Sequence, residues 1–226
     1  MHLRTKSLSD ISILCIGDSL TEGDYGSEPQ GTAYVKDENY PFYMQQLLKC
    51  RVSNQGVCGY SASAYWKLKL MTIDFESISP DIILIMLGTN AGLTDTVETD
   101  TKISDGDTFR DYADTNTGAY CKIIEYCMNR TNFEAQIILC TPTHVGKARP
   151  VHRSAVANAY PVVLQIAKKY SLPVIDLYKE GGFSDYNDKV MQPIDTLHFG
   201  RIGYSRLGTF IGSKVMSLCS FVYPEK

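Results

Sequence analysis

The chain has 226 residues, of which 44% are hydrophobic and 21% charged, and its formal net charge at pH 7 is −3. This composition is typical of a globular protein with a sizeable core, and we expect a single domain over residues 1–226. The charge balance offers no basic surface for a polyanion, so no nucleic-acid partner is expected. The seven cysteines are scattered without a CxxC pair, so neither a disulfide framework nor a zinc module is predicted.

The hydropathy pattern gives no reason to expect a membrane protein. No run of about 18 apolar residues occurs along the chain, and residues 1–10 lack the apolar region of a secretory signal. We therefore expect no stable membrane insertion and a cytoplasmic location. The sequence carries no indication of an oligomeric state.

The first clear element is a short apolar run, residues 11–16, which ends at Gly17 and is followed at once by Asp18 and Ser19. An apolar run of this length predicts a buried parallel strand. The carboxyl edge of such a sheet is where open α/β folds place their binding and catalytic groups. The sequence therefore predicts that Asp18 and Ser19 lie at a functional edge.

Strands and helices alternate along the rest of the chain. Apolar runs predict further strands at 51–54, 81–87, 135–140 and 174–177, and helical spacing predicts helices at about 41–50, 61–70, 117–129, 154–169 and 203–218. Pro161 should bend the fourth of these helices or mark its start. Because parallel strands need crossover connections, the pattern predicts an α/β fold: a three-layer α/β/α sandwich with a five-stranded, mainly parallel sheet.

Three polar segments, 24–39, 91–116 and 142–153, are predicted to be the loops that build a binding pocket. The second is rich in Thr, Asp and Gly and is long for a loop inside a compact domain. It is interpreted either as a functional cover or as a solvated surface insertion.

A serine hydroxyl becomes a good nucleophile only when a base takes its proton and a third group orients that base. Asp195 and His198 stand three positions apart just before the last predicted helix. On a helical turn this spacing puts both side chains on one side, so Asp195 can accept from one imidazole nitrogen while the other faces Ser19. Taken alone, Ser19 is as readily a helix N-cap and His198 a packed histidine, and it is the combination that indicates chemistry.

Four blocks in the expected order resemble the signature blocks of the GDSL/SGNH hydrolases, and together they span nearly the whole chain. They are Gly17-Asp18-Ser19-Leu20, Asn54-Gln55-Gly56-Val57-Cys58-Gly59, Gly88-Thr89-Asn90, and the pair Asp195 and His198. One position departs from the family, which often has Asp where this chain has Ala91. This difference concerns the support of the loop and not the catalytic residues.

The resemblance implies a flavodoxin-like SGNH hydrolase fold and a role for each block. Ser19 is implied as the nucleophile, His198 as the base and Asp195 as the residue that orients it. The oxyanion hole is implied to consist of the backbone N–H groups of Ser19 and Gly59 with the side-chain amide of Asn90. No metal and no other cofactor is implied.

Two further residues are predicted to contact substrate. Asp18 should also hold the turn before the nucleophile, and His144 leaves the active edge directly after a strand. Lys147, Arg149 and Arg153 follow in the same loop region, where they either bind an anionic substrate group or form a solvated charged loop.

The function expected from these residues is that of a serine esterase acting on a small-molecule ester through an acyl-enzyme. The polar loops favour a small acyl group, such as acetyl, on a hydrophilic alcohol such as a carbohydrate. A lysophospholipase or thioesterase acting on longer acyl chains and a non-catalytic ligand-binding module are the alternatives.

Other enzyme classes fit the sequence less well. The Gly-x-Ser-x-Gly elbow of ordinary α/β-hydrolases and the dinucleotide-binding Gly-x-Gly pair do not occur. A metal-dependent phosphoesterase using Asp18, Asn90 and His198 would have too few ligands.

Overall fold

The computed structural model describes residues 3–23, 37–93, 112–219 and 222–224. The strands are β1 (Leu3–Thr5), β2 (Ser12–Gly17), β3 (Arg51–Asn54), β4 (Ile82–Met86), β5 (Gln136–Cys140), β6 (Val174–Ile175) and β7 (Val222–Pro224). The α-helices are α1 (Ser19–Glu22), α2 (Tyr40–Leu48), α3 (Ala62–Leu68), α4 (Phe75–Ile78), α5 (Asn116–Arg130), α6 (Pro150–Tyr170), α7 (Leu177–Glu180), α8 (Asp188–Met191) and α9 (Arg201–Leu218). Most of segments 24–39 and 91–116, including the possible cover, lies outside the described residues.

The central sheet has five strands in the order β3-β2-β4-β5-β6, and every adjacent pair is parallel. This confirms the predicted five-stranded parallel sheet. Gly17 at the end of β2 lies opposite Met86 at the end of β4. The residues that follow these two strands therefore emerge at the same edge of the sheet.

The sheet is covered on both faces, which explains the unbroken apolar runs of its strands. Alternate residues of β2 enter different cores: Ile13 and Cys15 pack in one, and Leu14 and Ile16 in the other. Helices α2 and α9 supply the first core, while α3, α5 and most of the buried face of α6 supply the second. The result is the expected three-layer arrangement.

The structure departs from the expected elements at several places. Helix α6 begins at Pro150, where a missing N–H costs nothing, so the interpretation that Pro161 marks its start is wrong. Strand β6 has two residues and not four, because Asp176 accepts a hydrogen bond from the Lys179 N–H and caps α7. The antiparallel pair of β1 and β7 was not predicted from the sequence pattern.

None of the described helices is both long enough and apolar enough to cross a bilayer.

Candidate active site

Ser19 stands at the start of a four-residue helix that turns sharply away from the end of β2. Asp18 caps this helix, its Oδ1 accepting from the Leu20 N–H at 3.0 Å. A Cβ at Gly17 would lie 1.9 Å from Oγ1 of Thr21, so only glycine lets the helix fold back over the strand. The turn therefore delivers Ser19 to the carboxyl edge of the sheet.

The segment after β3 supports this turn from the side. The Asn54 side-chain amide donates to the carbonyl of Thr21 at 2.8 Å. A Cβ at Gly56 would lie 2.2 Å from the main-chain nitrogen of Glu22, so the two segments touch backbone to backbone. These contacts explain why the second sequence block has asparagine at position 54 and glycine at position 56.

Asp195 and His198 lie in an irregular turn before α9. Oδ1 of Asp195 accepts from the backbone N–H groups of Leu197 at 3.1 Å and His198 at 2.8 Å, and Thr196 has a left-handed φ of 61°. The expectation of a helical turn is therefore wrong, because the aspartate bonds the backbone two and three residues ahead and forms a side-chain-closed turn. The same turn still brings the two side chains together.

Ser19, His198 and Asp195 form one hydrogen-bonded chain. The Ser19 Oγ lies 3.1 Å from Nε2 of His198, and Nδ1 of His198 lies 2.9 Å from Oδ2 of Asp195. A proton on Nδ1, facing the carboxylate, leaves the Nε2 lone pair free to take the serine proton. This arrangement can generate a serine nucleophile.

Asp195 is held in its ionised form. Burial acts to raise the pKa of this carboxyl group, but hydrogen bonds from the side chain and backbone of His198 and from the Leu197 N–H outweigh it and hold the pKa well below its usual range. An ionised Asp195 can stabilise a positive imidazole that forms beside it.

The turns after β3 and β4 meet at the same edge. Gly59 is exposed and has a left-handed φ of 76°, and a Cβ there would meet no atom within 4 Å. The Asn90 side-chain nitrogen donates to the carbonyl of Tyr60 at 3.2 Å. Because a side-chain amide carries two N–H groups, this bond fixes the orientation of Asn90 and leaves a second donor.

Asp18, predicted to hold the turn and to contact substrate, is fully buried under Ser19. Burial raises the pKa of its carboxyl group to about 6, although the hydrogen bond from the Leu20 N–H acts in the opposite direction. Its capping bond makes it part of the turn itself.

His144, the other residue predicted to contact substrate, is engaged by a carboxylate. Its Nε2 lies 3.0 Å from Oδ1 of Asp185, which also accepts from the Arg153 guanidinium at 2.6 Å. The Lys147 ammonium lies 3.7 Å from the other oxygen of Asp185. Lys147 in the loop and Arg153 in the first turn of α6 are thus both directed at Asp185.

Three contacts that sequence reasoning missed join the loop after β5 to the turn that carries His198. The buried Gln192 amide donates to the carbonyls of His144 at 2.8 Å and Leu197 at 3.0 Å. The Gly146 N–H donates to the carbonyl of Thr196 at 2.8 Å. Nothing in the sequence singles out Gln192, because glutamine outside a motif is usually a surface residue.

A third cation, Arg149, reaches the chain of Ser19, His198 and Asp195. Its Nη2 donates to Oδ2 of Asp195 at 2.7 Å. The sequence presented Arg149 only as one of three basic residues without an assigned partner.

A cleft of about 550 Å³ lies between the turn after β4 and the first turns of α6. Its described lining residues are Thr89, Ala91, Pro150, Val151, His152, Ser154, Ala155 and Asn158. Burial lowers the pKa of His152 below its usual value, and nearby Arg149 and His198 act in the same direction. The volume is within the range of sites for small molecules.

No group of three or more His, Cys, Asp or Glu side chains among the described residues is arranged to hold a metal ion.

Solved structures similar to this chain are found among lipases and esterases. A lipase/acylhydrolase from Enterococcus faecalis is 21% identical, with a TM-score of 0.64, over 96% of this chain and 100% of its own. Est24, a carbohydrate acetylesterase from Sinorhizobium meliloti, is 18% identical, with a TM-score of 0.62, over 93% of this chain and 100% of its own. The M. smegmatis aryl esterase is 17% identical, with a TM-score of 0.61, over 92% of this chain and 100% of its own. These likenesses show the fold.

Similarity in sequence identifies the family. No curated protein matches the chain. The sequence profile of the GDSL-like lipase/acylhydrolase family, in contrast, matches residues 15–206, which include all four motif blocks. The protein therefore belongs to the GDSL-like lipase/acylhydrolase family and is a hydrolase of the GDSL/SGNH type.

Proposed function

We propose that this protein is a serine esterase in which Ser19 is the nucleophile, His198 the general base and Asp195 the residue that orients His198. The observation that carries the proposal is the continuous hydrogen-bonded chain, 3.1 Å from serine to histidine and 2.9 Å from histidine to aspartate. Membership of a hydrolase family supports the same assignment.

The proposed reaction has two steps with a balanced transfer of protons. Ser19 Oγ attacks the ester carbonyl carbon as His198 Nε2 takes its proton, and the imidazole then returns that proton to the leaving alcohol. Water then attacks the carbonyl carbon of the acyl-enzyme as the same nitrogen takes its proton, and the imidazole returns that proton to Ser19 Oγ as the acid leaves. Asn90 and the backbone N–H groups of Gly59 and Ser19 would receive the developing oxyanion, each donor contributing about 2.7–4 kcal/mol.

For the substrate we propose a small acyl group, such as acetyl, on a hydrophilic alcohol such as a carbohydrate. The cleft beside Asn90 offers hydrogen-bonding side chains from His152, Ser154 and Asn158. A hydroxyl-rich alcohol uses such groups, whereas an alkyl chain would leave them unpaired. The fold is shared with a carbohydrate acetylesterase.

A second candidate, an esterase or thioesterase for longer acyl chains, is favoured by one feature of the cleft. Val151 lines it and has 76% of its surface exposed. A longer alkyl chain would cover this apolar surface and gain about 25 cal/mol for each Å² removed from water.

The mechanism is tested by hydrolysis of p-nitrophenyl acetate with the wild type, Ser19→Ala and Ser213→Ala, the last replacing an exposed serine on α9. We expect Ser213→Ala to match the wild type and Ser19→Ala to lose about 10⁶-fold in kcat. Equal hydrolysis by Ser19→Ala and the wild type would refute the serine mechanism, and inertness of both folded proteins would favour a ligand-binding module.

The substrate class is tested separately with an acetylated sugar and with p-nitrophenyl esters of increasing chain length. A kcat/KM that falls as the acyl chain lengthens, together with release of acetate from the sugar, is the expected result. A kcat/KM that rises with chain length would replace the carbohydrate proposal by the second candidate.

A further inference from the structure

One oxygen of the Asp195 carboxylate accepts hydrogen bonds from two side chains. Oδ2 accepts from Nδ1 of His198 at 2.9 Å and from Nη2 of Arg149 at 2.7 Å. Oδ1 is already used by the backbone N–H groups that close the turn. Arg149 therefore shares with His198 the Asp195 oxygen that orients the imidazole.

The backbone of Arg149 is tied to the same turn as its side chain. The Arg149 N–H donates to the carbonyl of Gly146 at 3.3 Å, and the Gly146 N–H donates to the carbonyl of Thr196 at 2.8 Å. A Cβ at Gly146 would lie 2.6 Å from Cβ of Thr196, so the two loops are in close contact. Helix α6 begins at the next residue, Pro150, and continues the rigid support.

Building on the proposed serine-esterase function, we propose that Arg149 is a positioning residue of the Ser19, His198 and Asp195 chain. Its guanidinium holds Oδ2 of Asp195, the same oxygen that Nδ1 of His198 contacts, and places a positive charge near the ring that would become positive. Arg149 acts through Asp195 and touches neither the serine nor the reacting atoms.

The charge of Arg149 has a definite effect on His198. The groups that face this imidazole are Asp195 from its own turn, Arg149 and His152 from the start of α6, and Ser19 and the buried Asp18 from the nucleophile turn. A positive guanidinium on the shared oxygen opposes a second positive charge on the ring. The charges of Arg149 and Asp195 thus act on the ring in opposite directions.

The size of this effect follows from simple electrostatics. The Arg149 side chain is 46% exposed, so its interaction with the ring is weakened by solvent. With the solvent screening that the exposed Arg149 side chain receives, two unit charges on either side of one carboxylate oxygen change a titration midpoint by about half a pH unit. Removal of Arg149 should raise the pH at which His198 becomes neutral by about this amount.

The experiment follows the imidazole Cε1 proton of His198 by NMR across a pH titration of the whole protein, without substrate. The chain has four histidines, and the spectrum of His198→Ala assigns the signal. The variants are Arg149→Gln, Arg149→Lys, and Lys147→Gln as a matched control that removes a positive charge from the same loop at a side chain 82% exposed.

The inference is supported if the midpoint rises by about half a unit in Arg149→Gln, stays near the wild-type value in Lys147→Gln and is largely restored in Arg149→Lys. The acid limb of kcat/KM should move in the same direction. An unchanged His198 midpoint in Arg149→Gln overturns the inference. This holds even if the variant has a lower melting temperature, because a purely structural role of Arg149 would lower stability without changing the midpoint.

The two proposals fail separately. If Ser19→Ala hydrolyses esters as well as the wild type, the serine-esterase function is refuted, and the NMR titration still decides the role of Arg149 because it needs no substrate.

Discussion

Replacing Asp18 by asparagine should change how the free energy of unfolding depends on pH. Burial raises the pKa of this carboxyl group from 3.8 to about 6. Between these values the folded protein keeps a proton that the unfolded chain has lost, so the free energy of unfolding falls as the pH rises through that window. The difference of about two pKa units corresponds to about 3 kcal/mol, present in full below about pH 4 and lost above about pH 6.

Asparagine keeps an oxygen for the Leu20 N–H but cannot ionise. Urea unfolding of the wild type and Asp18→Asn between about pH 4 and about pH 7 should therefore show a variant that gains about 3 kcal/mol relative to the wild type across this range. Asp74→Asn is the matched control, because Asp74 also caps a helix, accepting from the Ser77 N–H at 3.0 Å, but is exposed. A difference that stays constant with pH for Asp18→Asn, as for the control, would refute the argument from burial.

Three further substitutions test the supports of the site. Gly56→Ala puts a Cβ 2.2 Å from the nitrogen of Glu22 and should lower the free energy of unfolding by about 1–3 kcal/mol; a wild-type urea midpoint would contradict the close contact. Gln192→Met removes both hydrogen bonds of a buried amide, one of them to Leu197, and should cost about 2 kcal/mol, measured by calorimetry; an unchanged melting temperature would argue against it. Asn90→Ala should lower kcat about 10²–10³-fold in a folded protein, and wild-type kcat would remove Asn90 from the oxyanion hole.

The central sheet could be predicted because its strands are buried on both faces. Strands β2 and β4 read as unbroken apolar runs, a pattern that follows directly from packing between two layers of helices. Short elements were harder to predict from the sequence. Strands β1 and β7 have three residues each, and they form by pairing with each other across nearly the whole length of the chain. Helix α6 continues through Pro161 because the buried residues next to it, including Val162 and Val163, maintain the helix by their packing.

The site divides in the same way. Ser19, Asp195 and His198 could be proposed because a nucleophilic serine needs a base and a residue that orients the base. Few residue types and spacings meet that need. Their supports could not, because a contact such as that of Arg149 with Asp195 depends on the conformations of two loops. The turn of Asp195 shows the limit, since a spacing of three fits both a helical turn and the side-chain-closed turn that the structure contains.

The hydrogen bond between Ser19 and His198 joins residues that are 179 positions apart. Closing so long a loop costs entropy that only the finished sheet and its two helical layers offset, so we expect this contact to form among the last events of folding. During refolding from urea, helix content should return before a reagent specific for activated serines can label Ser19. The reactivity of the Ser19 side chain would then report that folding of the whole chain is complete.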